Sequence, residues 1–180
     1  HRANFFVTDV RDGQSLQNRM QNIDVVFHCA ALKHVTICER SPGEAVQSNI
    51  QGVKNIIDAA NSSDVGRVIF TSSDKAVNPT NVMGTSKLMG ERLITAANSS
   101  RKSEGPLFSS TRFGNVLGSN GSVLPIFKAQ ILNGGPITIT DNSMTRFVMS
   151  IEQAAKLVLD TTFLARGGEV FITKMPVIKI

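Results

Sequence analysis

Short apolar runs alternate with longer amphipathic stretches along this chain. The first run, Asn4-Phe5-Phe6-Val7, turns polar at Thr8-Asp9-Val10-Arg11-Asp12, the pattern of a strand emptying into a loop. A short helix is expected from Ser15 to Gln21 and a second strand over Asp24 to His28, apolar on both faces like a central parallel strand. Small side chains follow at Cys29-Ala30-Ala31-Leu32, where a ligand could approach the backbone. From about Pro42 to Asn61, Ala45, Ile50, Val53, Ile56, Ile57 and Ala60 recur at helical spacing. Arg67-Val68-Ile69-Phe70 reads as a further buried strand, and Pro106 to Phe113 as another. A helix is expected from about Val123 to Leu132, ended by Gly134-Gly135-Pro136. Ile137-Thr138-Ile139-Thr140 alternates like a half-exposed strand, Ile151 to about Phe163 like a helix, and Val170-Phe171-Ile172 like a final strand. Strand and helix alternating at this pace predict an α/β fold around a parallel sheet.

One stretch concentrates the chemistry. Residues 68–92 read VIFTSSDKAVNPTNVMGTSKLMGER: a buried strand turns abruptly polar at Thr71-Ser72-Ser73-Asp74-Lys75, so hydroxyls, a carboxylate and an amine stand at its carboxyl end. In open parallel sheets ligands bind at that edge. After the Asn78-Pro79-Thr80-Asn81 turn a helix resumes through Met83, Lys87, Leu88 and Leu93, and the four-residue spacing puts Met83 and Lys87 on one face.

Composition narrows the field. With 180 residues, 41% hydrophobic and 18% charged, one globular domain is the default. No apolar stretch approaches the roughly 18 residues of a membrane span. The first residue is His1 and no signal peptide is visible, so the chain reads as an internal fragment, with membrane anchoring only through a segment outside it. The net charge of +5 is scattered, and without Trp or Tyr there is no stacking platform for nucleic acid. A phosphate-rich small ligand fits the charge better, although a truncated piece could carry the same excess. Cys29 and Cys38 are too few and wrongly spaced for a zinc site and are expected as buried free thiols in a reducing compartment.

Hydroxyls at a strand end followed by x-x-x-Lys on the next helix resemble the extended short-chain dehydrogenase/reductase superfamily. The run DKAVNPTNVMGTSK resembles its UDP-N-acetylglucosamine 4,6-dehydratase branch, which makes nucleotide sugars for polysaccharides and glycans. The resemblance covers essentially the whole chain, which corresponds to the middle of a full-length member. It implies a Rossmann-like, doubly wound parallel sheet with a small substrate lobe: residues 1–118 as a partial NAD(P)-binding domain and 119–180 as the UDP-sugar lobe. No G-x-G-x-x-G or G-x-x-G-x-x-G occurs, so the first βαβ unit, with its phosphate cradle, is expected to be missing, and the isolated chain to bind dinucleotide poorly.

By the same resemblance the reaction oxidises carbon 4 of a UDP-sugar with a recycled NAD or NADP, removes water across carbons 5 and 6, and returns the hydride to carbon 6. Lys75 matches the base at carbon 5, Asp74 the acid for the departing 6-hydroxyl, and Ser73 the hydroxyl bonding the 4-oxygen. Adjacent Asp and Lys are both ionised in water, so this chemistry calls for a dry site that favours the neutral pair. Lys87 matches the Lys that bonds the nicotinamide ribose. Four residues earlier the superfamily's Tyr is replaced by Met83, whose thioether cannot act as a phenolate base; the first proton must go to Asp74, a water chain or another group.

Asp9-Val10 matches the adenine-binding pair and Ala30-Ala31-Leu32 the segment along the ribose and pyrophosphate, although Asp9 could equally close a turn. Asn49 resembles an Asn that supports the active-site Lys, or is an ordinary buried amide. Lys33 and His34 follow the Ala-Ala segment and carry no assigned role. For the UDP moiety the resemblance points to Asn115 in RFGNV, Val123, Thr138, Thr140 and Arg146, an Arg suiting phosphate because its planar fork stays charged. A cytoplasmic homo-oligomer is implied. A UDP-sugar 4-epimerase, which needs no acid and base at carbons 5 and 6, and an inactive nucleotide-sugar binder are the alternatives.

Overall fold

A computed structural model describes residues 3–119, 123–139, 141 and 143–179. In chain order its elements are α1 (Gly13–Arg19), β1 (Val25–His28), α2 (Val35–Arg40), α3 (Pro42–Ala45), a π-helical segment (Val46–Gln51), α4 (Gly52–Asn61) and β2 (Arg67–Ser73). A 3-10 turn (Asp74–Ala76), α5 (Val82–Ser99), β3 (Leu107–Phe113), β4 (Asn115–Val116), α6 (Val123–Leu132), β5 (Thr145–Met149), α7 (Ile151–Leu164), β6 (Val170–Ile172) and β7 (Val177–Lys179) complete it.

Four strands form a parallel sheet in the order β1-β2-β3-β6. Val25 pairs with Arg67, Arg67 with Leu107, and Ser110 with Val170, so the carboxyl ends of the strands gather along one edge. Phe70, Val68 and Phe108 interlock with Val53, Ile56 and Ile94 from α4 and α5 in the main core. Each such side chain contributes about 1.5–3 kcal/mol by leaving water. A Cβ on Gly90 would stand 2.7 Å from Phe70 Cζ, so the bare glycine lets α5 lie close on the sheet. Since α4 and α5 occupy one face, α7, which also packs on β2 and β3, covers the other, giving the doubly wound arrangement. A second, three-stranded sheet runs β4-β5-β7, with Asn115 opposite Val148 and Arg146 opposite Ile178.

Local chemistry fixes the helix starts. Asp12 caps α1 by accepting from Ser15 N, and Ser150 with Gln153 forms a reciprocal capping box on α7. At α5 the Asn81 side chain accepts from Gly84 N at 2.8 Å, while Glu39 Oε1 takes Val82 N at 2.6 Å. The buried stripe of α5 is Met83, Ser86, Lys87, Gly90, Glu91 and Ile94, at helical spacing but strongly polar.

Two expected strands are not formed among the described residues. Phe5, Phe6 and Val7 are exposed and pair with no strand among the described residues; apolar alternation makes a strand only where a neighbour accepts its ladder. Residues 137–139 are also irregular, because Gln130 of α6 takes Thr138 N at 3.2 Å and donates to its hydroxyl at 2.7 Å. The helix expected from Pro42 to Asn61 is present but passes through the π segment, where the extra residue per turn buries Asn49. None of the helices among the described residues is long and apolar enough to cross a membrane.

A crevice at the carboxyl ends of the strands

A crevice of about 420 Å³ opens where β1, β2 and β3 end. Ala31, Ser73, Lys75, Met83, Lys87 and Asn115 line it, which brings six residues singled out from the sequence into one place. A larger cavity of about 660 Å³ lies against the loops that precede β2 and β3, at the opposite edge. In open parallel sheets ligands bind at the carboxyl edge, where the polar strand ends gather, and the side chains singled out from the sequence stand there.

The turn after β2 shapes the reactive group. The Ser73 hydroxyl donates to Asp74 Oδ1 at 2.9 Å, and Lys75 Nζ donates to the same oxygen at 3.1 Å. Lys75 Nζ also reaches Asn115 Oδ1 at 3.5 Å, so the amine bridges the turn and the wall that follows β3. The Asp74 and Lys75 side chains keep 20% and 34% of their exposure, so the protein alone leaves the pair partly wet rather than dry. Gly84 holds the turn against α5, because a Cβ there would collide with the Lys75 carbonyl. Gly114 plays the same part on the other wall, where a Cβ would stand 2.7 Å from Met175 Sδ.

Lys87 rises from α5 one turn beyond Met83, and both side chains are buried. Its ammonium donates to the Thr71 carbonyl at 2.9 Å and lies 4.8 Å from the Phe70 ring centroid. Burial pushes Lys87 down to about 8, with Cys29 and Glu91 pulling weakly the other way. Behind it His28 stacks on Phe70 at 5.6 Å and is pushed down to about 4, chiefly by burial and then by the Lys87 charge. Glu91, buried one turn after Lys87, grips the Arg112 guanidinium with both oxygens at 2.8 and 2.7 Å.

The Ala30-Ala31-Leu32 loop is fastened from below. Asn49 accepts from Leu32 N at 2.8 Å and donates to Leu32 O and to Ser86 Oγ, each at 2.9 Å. This amide is therefore a clamp between the loop and α5, and its hydrogen bonds go to Leu32 and Ser86 rather than to Lys87. Its place in a π segment fits the frequent use of such bulges at sites.

Other expected residues lie elsewhere. Asp9 is exposed and held by Arg11, whose side-chain hydrogen bonds pull its carboxyl down to about 2. The Val10 carbonyl accepts from Asn55 Nδ2 at 2.9 Å, and Ala30 is exposed beside the crevice. Thr138 is tied to Gln130, and Arg146 sits in β5 with Nη1 on the Thr145 carbonyl; neither lines the crevice. Val123 opens α6, and Thr140 lies outside the described residues. Cys29, expected to be buried, is exposed and lines the crevice, because β1 ends at His28 and the thiol falls one residue past it; Cys38 is buried.

Sequence reasoning left Lys33, His34, Ser72 and Phe113 without roles, yet all line the crevice. Their signal was position, directly after one strand or at the end of another. The Glu91–Arg112 pair was also missed, although Glu91 stands at helical spacing from Lys87.

The model of a family described as polysaccharide biosynthesis proteins matches residues 1–180. An uncharacterized membrane protein of Methanocaldococcus jannaschii is 53% identical over 175 residues, covering 97% of this chain and 53% of the relative. A UDP-N-acetylglucosamine 4,6-dehydratase (inverting) of Campylobacter jejuni is 45% identical over 177 residues, 98% of this chain and 53% of that one. A UDP-glucose 4-epimerase of Rickettsia canadensis is 44% identical over 172 residues, 96% of this chain and 50% of the relative. Among solved structures, Pen from Bacillus thuringiensis superposes with a TM-score of 0.95 at 49% identity, covering 98% of this chain and 56% of the other. The chain spans about half the length of the curated relatives it matches. With its whole length matched, its parallel sheet in place and its polar strand ends gathered in one crevice, this chain belongs to the polysaccharide biosynthesis protein family.

Proposed function

We propose that the protein is a nucleotide-sugar 4,6-dehydratase of the extended short-chain dehydrogenase type, acting on UDP-N-acetylglucosamine with NAD or NADP. The observation that carries this reading is the Ser73–Asp74–Lys75 group, three functional side chains joined on one carboxylate oxygen at the crevice that holds Lys87. Lys33, His34, Lys75 and Lys87 line that crevice, and the Asp74 carboxylate beside it is taken up by Ser73 and Lys75, a balance that suits a ligand rich in phosphate. Small Ala30 and Ala31 leave room beside it for a ribose or pyrophosphate. In this reading residues 1–118 serve the dinucleotide, with Asp9, Val10, Ala30, Ala31, Leu32 and Lys87 along it. Residues 119–180, with Val123, Thr138, Thr140 and Arg146, serve the UDP-sugar together with Asn115.

A nicotinamide held along Ala30, Ala31, Leu32 and Lys87 would supply the acceptor for the carbon 4 hydride and the donor that returns it to carbon 6. Ser73 takes the 4-hydroxyl proton as its own proton passes to Asp74 along the 2.9 Å hydrogen bond, which supplies the route that Met83 cannot. Asp74 then gives that proton to the departing 6-hydroxyl, which leaves as water. Lys75, as the neutral amine, takes the carbon 5 proton made acidic by the new ketone and returns a proton to that carbon once the hydride arrives. A sugar seated over the half-exposed pair removes water from it and favours the neutral amine of Lys75, while Asp74 starts as the carboxylate and becomes neutral only on taking the Ser73 proton. Lys87 stays cationic to hold the ribose.

A UDP-sugar 4-epimerase is the second reading, supported by the 44% identical relative of that name. It would use Ser73 and Lys87 but leave Asp74 and Lys75 without work at carbons 5 and 6. Mass spectrometry of UDP-N-acetylglucosamine incubated with the intact protein separates the two. Loss of one water supports dehydration, whereas an unchanged mass with an inverted 4-hydroxyl supports epimerisation.

A further inference from the structure

Glu91 is the buried carboxylate of α5, with only 4% of its side chain exposed, and both its oxygens are committed to Arg112. Arg112 lies near the end of β3, opposite Ser72, and three residues further on stands Asn115, the partner of Lys75 Nζ. The ion pair thus ties the α5 wall, which carries Met83 and Lys87, to the wall that carries Asn115. Glu91 also stands one helical turn from Lys87, close enough for its charge to act on that ammonium.

We infer that Glu91 and Arg112 are positioning residues for this crevice: their fork sets the spacing of its two walls, and the Glu91 charge, divided between Arg112 and Lys87, steadies the Lys87 ammonium. A pair serving stability alone would be indifferent to Lys87. Here Glu91 acts on Lys87 directly and Arg112 acts through its hold on Glu91, so removing one or the other moves Lys87 in opposite directions. Without the Glu91 charge, Lys87 loses an anion one helical turn away and holds its proton less firmly. Without Arg112, the Glu91 carboxylate is released toward Lys87 and holds that proton more firmly. The other titratable groups near Lys87 are His28 of β1 and Cys29 just after it, with Lys33, His34 and Lys75 along the same crevice, and none of them is substituted in either variant.

The inference goes beyond the proposed reaction, and its test needs neither substrate nor cofactor. Lysine-labelled protein is titrated by carbon NMR, with the Lys87 resonance assigned by its loss in Lys87→Arg. The expected result is a Lys87 midpoint near 8 in the parent protein. It moves lower in Glu91→Gln, higher in Arg112→Gln, and lies between the two in the double variant. Glu91→Gln keeps the shape and one acceptor for the guanidinium, so it decides the matter even if Arg112→Gln does not fold. A Lys87 midpoint unmoved in Glu91→Gln, whatever happens to the melting temperature, overturns the inference and leaves the proposed reaction untouched.

Discussion

The two ends of this chain use apolar residues in opposite ways. Between β1 and β3 a core of apolar side chains is buried, with Phe27, Ile37, Val46, Val77 and Met89 left at the surface, and the polar side chains that share the buried layer are held by named partners: Asn49 by Leu32 and Ser86, Lys87 by Thr71, Glu91 by Arg112. From α6 onward large apolar side chains face outward, among them Leu124, Ile131, Leu132, Phe163 and Leu164. The first region is a packed frame whose buried polar groups are fixed by hydrogen bonds. The second binds to that frame through β6 and the β4-β5 pairing and presents the surfaces that face away from it. Placing chemistry at the end of a strand in the frame, rather than on the outer part, lets burial and hydrogen bonding set the geometry.

The comparison breaks most visibly at the turn after β2. Lys75→Met, in the intact protein, is expected to lower dehydration of UDP-N-acetylglucosamine by about 10²–10⁴-fold while the fold survives, as judged by circular dichroism. A variant with near-parental turnover would remove Lys75 from the chemistry. Next in size, Phe108→Ala opens the core between β3 and its helices and should cost about 3–5 kcal/mol in urea unfolding.

A smaller effect has the opposite sign. Lys87→Met is expected to stabilise the protein by about 1–2 kcal/mol at pH 7 while weakening dinucleotide binding, since burial holds the folded amine near 8 against 10.5 for an exposed one. Between those values the unfolded chain binds more protons than the folded one, so parental stability rises with pH across that window. The gain in the variant is therefore present below about 8 and gone near 10.5, and urea midpoints at pH 7 and pH 10 measure it. Smallest of all, Leu132→Ala should change stability by no more than about 0.5 kcal/mol, because that side chain is 76% exposed. A loss as large as that of Phe108→Ala would abolish the distinction between the two regions.

The frame was legible because its pattern is local. The runs ending at His28, Phe70 and Phe113 are apolar, bounded by polar turns and separated by helical spacing, and they became β1, β2 and β3. The helix over Val123 to Leu132 and the strand over Val170 to Ile172 were placed with the observed bounds. The second sheet was not legible. β4 has two residues, and β7 has three that are all exposed, so their assignment rests on neighbours distant in sequence. The opposite error arose at Phe5 to Val7, where the pattern was present and the partner strand was not.

The site divides in the same way. Ser73, Asp74, Lys75, Met83 and Lys87 were readable because one strand, one turn and one helix carry them all. The clamp formed by Asn49 and the fork between Glu91 and Arg112 join elements 37 and 21 residues apart, and only folding shows which polar residue of a helix meets which strand. Polar residues on the buried stripe of α5 also weakened its amphipathic signal, and those residues include Lys87 and Glu91.

The central claim is that Ser73, Asp74 and Lys75 remove water across carbons 5 and 6 of a nucleotide sugar. Its most direct test follows UDP-N-acetylglucosamine in heavy water by proton NMR, with the intact protein and its Lys75→Met variant. The account predicts that the 6-hydroxymethyl signal gives way to a methyl, with deuterium entering at carbon 5, in the parent and not in the variant. A 4-hydroxyl that inverts while the 6-hydroxymethyl survives, or a methyl product formed equally well without Lys75, would contradict it.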